Sequence, residues 1–202
     1  SFDPLTGLPN RRLLQDRLCR ALLRSERNAT RMALMFIDLD GFKEVNDTLG
    51  HDVGDLLLCE VAARLQKCIR ASDTICRFGG DEFAIVVEEA STPRDLVMVG
   101  QRIVAALAAP FDLDGHPVRT SASIGIALYP PDGSDATTLL KNADVAMYKA
   151  KRSGRNRFEF FSDAGESFAL AEQASASGLG RPPSRGSRAP AKRAAAGGAM
   201  DR

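Results

Sequence analysis

The most constraining feature of this chain is an apolar run, Met32-Ala33-Leu34-Met35-Phe36-Ile37, that passes without a break into Asp38-Leu39-Asp40-Gly41-Phe42-Lys43. An uninterrupted apolar strand has to be covered on both faces, which calls for a sheet with helices packed on each side. Two carboxylates at the end of such a strand lie where the open end of an α/β sheet receives ligands.

The flanking sequence alternates accordingly. Leu13, Leu18, Ala21 and Leu22 recur at helical spacing and predict a first helix over roughly residues 10–27. Leu57, Leu58, Val61, Ala62, Leu65 and Ile69 line one side of an amphipathic helix over 54–69. The runs Thr74 to Phe78 and Phe83 to Glu88 flank Gly79-Gly80-Asp81-Glu82, where paired glycines supply the positive φ of a tight hairpin. Thr92-Pro93-Arg94-Asp95 is a helix start, with a capping hydroxyl, a first-turn proline and an acid three residues on. Ile124, Ile126 and Leu128 alternate as in a strand. Asp135 to Lys151 is a further helix stopped by Gly154, and Phe158 to Phe161 a closing strand. This order predicts a single-domain α/β sandwich over residues 1–162, with a central mixed, mainly antiparallel sheet flanked by helices.

Composition narrows the function classes. The 202 residues carry 27 basic and 26 acidic side chains, a net charge of +1, which argues against a protein that works by coating nucleic acid. No stretch is apolar enough to span a bilayer, and the N-terminus has no basic-then-apolar signal. Cys19, Cys59, Cys68 and Cys76 fall at irregular spacings without a C-x-x-C pair, so reduced thiols in a cytosolic protein are expected rather than disulfides or zinc. Residues 163–202 are dominated by Ala, Gly, Ser and Pro, and the run Arg181 to Arg193 is basic with no acid. Such a segment cannot bury enough apolar surface to order itself, so it is expected to be a disordered tail, with at most a short helix over Glu166 to Ala176.

Asp81 and Glu82 form a second acidic pair. If their strand neighbours the first, three or four carboxylates converge with no His or Cys among them, a set that suits Mg²⁺ or Mn²⁺. Mg²⁺ bound by few carboxylates completes its shell with phosphate oxygens and water, which points to a nucleotide. A lone acidic pair is ordinarily a solvated turn; two pairs ending two buried strands carry the argument. Lys43, Lys151 and Arg155 supply cations for a triphosphate, although the last two equally suit the dipole at a helix C-terminus.

These residues together resemble the GGDEF domain family of diguanylate cyclases. Arg77-Phe78-Gly79-Gly80-Asp81-Glu82-Phe83 contains its motif, and Asp3-Pro4-Leu5-Thr6-Gly7-Leu8-Pro9-Asn10-Arg11-Arg12 is similar to its N-terminal signature. Val45-Asn46-Asp47, Gly50-His51-Asp52-Val53-Gly54-Asp55, Ser123-Ile124-Gly125-Ile126-Ala127, Ala143-Asp144-Val145-Ala146-Met147-Tyr148 and Gly154-Arg155-Asn156 follow in the family's order.

The resemblance implies a palm-like nucleotidyl cyclase fold and condensation of two GTP into cyclic di-GMP. By similarity, Asp38, Glu82 and the Leu39 carbonyl would hold the metal, with Asp81 close enough to touch it and acting as proton acceptor for the ribose 3′-hydroxyl. Lys43 would serve as the transition-state cation, and Lys151 and Arg155 as phosphate contacts. Gly79 and Gly80 would admit the nucleotide against the backbone. Asn46 and Asp55 would read guanine, with His51 lining the pocket; their own chemistry suits the base, though turn and cap roles fit them too. Arg70 and Asp73, an R-x-x-D pair, match a product-inhibition site. One carboxylate cluster per chain and a two-fold symmetric product imply a homodimer, and the resemblance implies a sensory or partner domain outside this chain. The rival reading is a regulatory module that binds GTP or cyclic di-GMP without turnover.

Overall fold

In the computed structural model, which describes residues 1–90, 92–163 and 167, the order of elements is α1 (Arg11–Asn28), β1 (Met32–Asp40), α2 (Phe42–Leu49), α3 (His51–Cys68), β2 (Thr74–Gly79), β3 (Glu82–Val87), α4 (Pro93–Ala108), β4 (Phe111–Leu113), β5 (His116–Val118), β6 (Ser121–Tyr129), α5 (Ala136–Arg152) and β7 (Arg157–Phe160). The main sheet has the order β2-β3-β1-β6-β7. Its pairs are antiparallel except β6 with β7, which is parallel. The expected mixed, mainly antiparallel sandwich is therefore the observed one.

Strand β1 is central, and its alternation builds two cores. Ala33, Met35, Ile37 and Leu39 pack in one apolar cluster with Leu57, Val61 and Leu65 of α3 and Ile103 and Leu107 of α4. Met32, Leu34 and Phe36 join the other with Leu14 and Leu18 of α1 and Leu139, Ala143 and Met147 of α5. The continuous apolar run is thus two interleaved faces, each with its own helices. Strand β6 was expected to alternate, but Ala122 to Leu128 are all buried, because it lies beside β1 under the same two layers.

At Gly125, α5 rests on the sheet. A Cβ there would stand 2.0 Å from the Ala143 carbonyl oxygen and 2.2 Å from the Met147 nitrogen, so only hydrogen fits. The α5 start is capped by Asp135, whose carboxylate accepts from Thr138 N at 2.9 Å.

Two elements lay outside the sequence expectation. Helix α2 is short, with Phe42 and Val45 partly buried against the core, a spacing of three that marks one apolar side. The β4–β5 hairpin turns at Asp114-Gly115, both at positive φ, and an Asp-Gly pair is a strong signal for such a turn. The expected tail over 163–202, with its short helix, lies outside the described residues apart from Asp163 and Ser167.

The N-terminal segment is fastened to the β2–β3 hairpin. Asp3 accepts from Thr6 N at 2.8 Å and Thr6 Oγ1 at 2.7 Å, and the Arg77 guanidinium lies 3.1 Å from its Oδ1. Burial pushes the Asp3 carboxyl up, but the Thr6 bonds and Arg77 outweigh it, so its pKa stands below the ordinary value.

Two outcomes follow from the packing. Gly125→Ala is expected to cost about 1–3 kcal/mol in a urea melt, from overpacking α5 against β6. By contrast, Gly79→Ala, where a Cβ would meet nothing within 4 Å, should change stability by less than about 0.5 kcal/mol; equal losses at both positions would refute the close-approach argument. A lowered carboxyl pKa stabilises the fold above its ordinary value and loses that contribution as pH falls through the folded one. The stability gap between wild type and Asp3→Asn should therefore be full at neutral pH and close below about pH 4; a gap independent of pH would refute the Asp3 assignment.

Candidate functional site

The ends of β1 and β3 meet. In the antiparallel register Asp38 pairs with Glu82, and on the other side of β1 Asp38 pairs with Ser123. The sequence expectation that two acidic segments converge is met by this one alignment. Leu39 N–H donates to the Asp81 carbonyl at 3.3 Å, which ties the hairpin turn to the strand. Glu82 belongs to β3 itself and Gly79 to β2, so only Gly80-Asp81 spans the turn, and of the two glycines Gly80 alone takes positive φ, +50°. A Cβ added at Gly79 or Gly80 would meet open space, so the surface above the turn has room for a ligand.

The electrostatics are those of a site short of positive charge. Burial holds the Asp38 carboxyl above its ordinary pKa, with the Asp81 and Asp40 charges adding to the effect and Lys151 opposing it. Burial likewise raises Glu82, assisted by Asp38, Asp81 and Asp144 and opposed by Lys151. The Lys151 ammonium, from the last turn of α5, lies 2.9 Å from Asp38 Oδ1. That oxygen is buried, and the Lys151 ammonium is its ion-pair partner.

Among the described residues no three His, Cys, Asp or Glu side chains stand as a preformed metal cage. The residues nonetheless fit a hard divalent cation. Two carboxylates raised by burial face each other across the strand pair and share the single Lys151 ammonium, an excess of negative charge that a divalent cation would offset, and Mg²⁺ takes most of its shell from phosphate and water.

Asp40 is not available to that set. Its carboxylate accepts from Ser121 Oγ at 2.5 Å, Ser123 Oγ at 2.8 Å and the backbone N–H of Asn156 at 3.1 Å. It thereby holds the turn after α5, where Arg155 and Asn156 both adopt positive φ, against the end of β1. A sequence reading of two equivalent acids could not separate these roles, because the separation depends on β6 lying alongside β1. Arg155 borders an open pocket of about 900 Å³ with Asp40, Gly41 and Glu44.

The remaining expected site residues lie on α2 and α3. Lys43 is exposed in the first turn of α2, and His51 is exposed at the start of α3. Asn46 and Asp55 are inside helices, not in a turn or at a cap. A Cβ at Gly54 would fall 1.8 Å from Asn46 Oδ1, which is buried and without a hydrogen-bond partner, so Gly54 is what lets the Asn46 side chain lie against α3.

Arg70 and Asp73 sit apart, in the link from α3 to β2. The Asp73 carboxylate accepts from Arg70 N at 3.0 Å and Glu88 N at 3.2 Å, while the Arg70 side chain is exposed. Burial raises the Asp73 carboxyl, against those two bonds and the Arg70 charge.

Known proteins share this fold. The family described as "Diguanylate cyclase, GGDEF domain" matches residues 1–157. MucR of Pseudomonas aeruginosa, a bifunctional diguanylate cyclase/cyclic di-GMP phosphodiesterase, is 52% identical over 159 residues, covering 79% of this chain and 23% of MucR. Diguanylate cyclase TpbB of the same bacterium is 45% identical over 154 residues, 76% of this chain and 35% of TpbB. The solved GGDEF domain of TpbB superposes with a TM-score of 0.79 at 40% identity, covering 84% of this chain and 99% of that domain. The GGDEF domain of DgcB from Caulobacter crescentus, solved with c-di-GMP, gives a TM-score of 0.72 at 28% identity over 80% of this chain and 93% of that one. The chain thus spans a quarter to a third of the two curated relatives' length, and all of the shared part is this domain. A match across nearly the whole described region, on a sheet that sets Asp38 opposite Glu82 beside the Gly79-Gly80 turn, makes this chain a member of the GGDEF family.

Proposed function

We propose that this domain is a diguanylate cyclase that condenses two GTP molecules into cyclic di-GMP and releases two pyrophosphates. The observation that carries the reading is the in-register placement of Asp38 opposite Glu82, with Asp81 in the turn beside them. Asp38, Glu82 and the Leu39 carbonyl would hold Mg²⁺ or Mn²⁺, with Asp81 at its edge. Bound there, the ion neutralises the triphosphate and makes the α-phosphate open to attack.

The chain's own residues do the rest. Asp81 accepts the proton of the ribose 3′-hydroxyl, which is a poor nucleophile while protonated. Lys43 stabilises charge in the transition state, and Lys151 and Arg155 hold phosphate oxygens. Asp55 accepts from the guanine N1–H and exocyclic amine, and Asn46 offers a donor and an acceptor. Adenine has neither the N1–H nor the 2-amino group, so it would leave the Asp55 carboxylate unpaired. His51 closes the base pocket, and Gly79 and Gly80 leave the nucleotide room over the turn.

One chain carries one such cluster, whereas the product has two-fold symmetry and needs two bonds formed. Two copies facing each other with a GTP apiece meet that need, and a partner or sensory domain elsewhere in a longer protein would control the encounter. Arg70 and Asp73 are read as the site where product binds and inhibits, Arg70 offering its guanidinium to phosphate or the guanine Hoogsteen edge.

Two measurements test this. Purified protein with GTP and Mg²⁺ should yield cyclic di-GMP by chromatography, at a rate rising more steeply than linearly with protein concentration. Glu82→Gln should abolish product while leaving circular dichroism and the melt of the fold in place. A wild type that binds GTP and makes no product at any concentration would instead be a regulatory module without turnover. Arg70→Ala leaves the Asp73 bonds to backbone intact, so stability should move by less than about 0.5 kcal/mol while final product yield rises; progress curves that still flatten as in wild type would remove the inhibitory assignment.

A further inference from the structure

Beside the hairpin turn, on the side of α1, lies a second concave surface whose arginines the cyclase reading does not use. It is an open pocket of about 400 Å³ whose lining includes Arg11, Arg12, Arg77, Phe78 and Gly79. Asp3 is its one acid, and that carboxylate is already taken by Thr6 and Arg77. Arg77 gives Nε–H to the Gly80 carbonyl at 2.9 Å and Nη1 to Asp3, which leaves its Nη2 donors over. Arg11 stands with its guanidinium carbon 4.7 Å from the Phe78 ring centroid, and neither Arg11 nor Arg12 has a carboxylate partner among the described residues.

Three guanidiniums line one pocket, and two of them occupy the first turn of α1, where a helix favours negative charge and this one has no acid. The helix end is not itself in question, since Asn10 already accepts from Leu13 N. A crowd of like charges kept at the unfavourable end of a helix is a local conflict of the kind found where function overrides stability. What would relieve it is an anion with several oxygens. The Phe78 ring cannot receive a nucleobase, because Arg11 covers it and Phe36 packs edge-on against it at 5.0 Å. The recognisable part of the ligand is therefore its phosphates.

We propose that the Arg11–Arg12–Arg77 pocket binds a polyphosphate anion, separately from the Asp38–Glu82 site. Its source is either pyrophosphate free in solution or the triphosphate of a nucleotide held by a second copy of the chain, since Gly79 borders both the pocket and the turn over which the nucleotide is placed.

Calorimetric titration of the full chain with sodium pyrophosphate, with chelator present to remove divalent ions, reads the pocket without any turnover. Its result is therefore independent of whether the domain is a cyclase. Wild type should bind, more weakly as salt rises, and Arg11→Ala with Arg12→Ala should weaken binding about tenfold or more. Arg12→Lys, which keeps the charge, should restore part of it, and Arg94→Ala on α4 should change nothing. Absence of binding by wild type would overturn the proposal. So would equal binding by the double variant, or loss of binding through Lys151→Ala while the double variant retains it. A second arm separates the sources: slower cyclic di-GMP formation by the double variant supports the facing copy's triphosphate, and unchanged formation with pyrophosphate binding lost supports the free anion.

Discussion

The antiparallel pairing of β1 with β3 is the constraint on which the site depends. Six consecutive residue pairs, from Ala33 with Val87 to Asp38 with Glu82, hold the strands in one register. Side chains alternate along a strand, so a slip of β3 by one residue would turn Glu82 to the face opposite Asp38 and at the same time bury the wrong apolar set. The same packing that stabilises the sheet therefore aligns the carboxylates, and neither can be changed alone. The far side of β1 is equally bound, because β6 pairs with it through Asp40 and Ser121.

That alignment works against stability while it prepares the chemistry. Asp38 and Glu82 are desolvated and close to further acids, and both stand above their ordinary pKa. A carboxyl with a raised folded pKa holds its proton more tightly in the folded state, so ionising it costs stability as pH rises past the ordinary carboxylate range. Lys151 offsets part of this from α5, whose approach to the sheet is set by the absence of a side chain at Gly125. Asp40, two residues from Asp38 on the same face, meets a different fate because Ser121, Ser123 and the Asn156 N–H satisfy it. One acid keeps the Lys151 ammonium as its partner, and the other becomes a strut for the turn that carries Arg155.

Much of this was legible in the residues before any coordinates. The apolar run of β1, the heptad-like face of α3, the glycine pair of the hairpin and the capped start of α4 are local signals, and local signals survive into the fold. Helix α2 and the β4–β5 hairpin were less legible because each is short, and the tertiary packing of Phe42 and Val45 against the core, rather than length, sustains the first. Asn46 lies in that short helix α2 and was not placed in a helix from sequence, whereas Asp55 falls inside the helix expected over 54–69.

What the sequence by itself determined is which residues are acidic, which are apolar, and at what period they recur, and with them the element types and the family. What only the tertiary structure decided is partnership: that Asp38 faces Glu82, that Asp40 faces serines instead of a cation, that Lys151 reaches across from the last turn of α5, and that Arg11 and Arg12 line one pocket with Arg77. Residues far apart in the chain meet through strand register and helix packing, and those are set by the burial of the whole core, a non-local quantity that no short stretch of sequence contains.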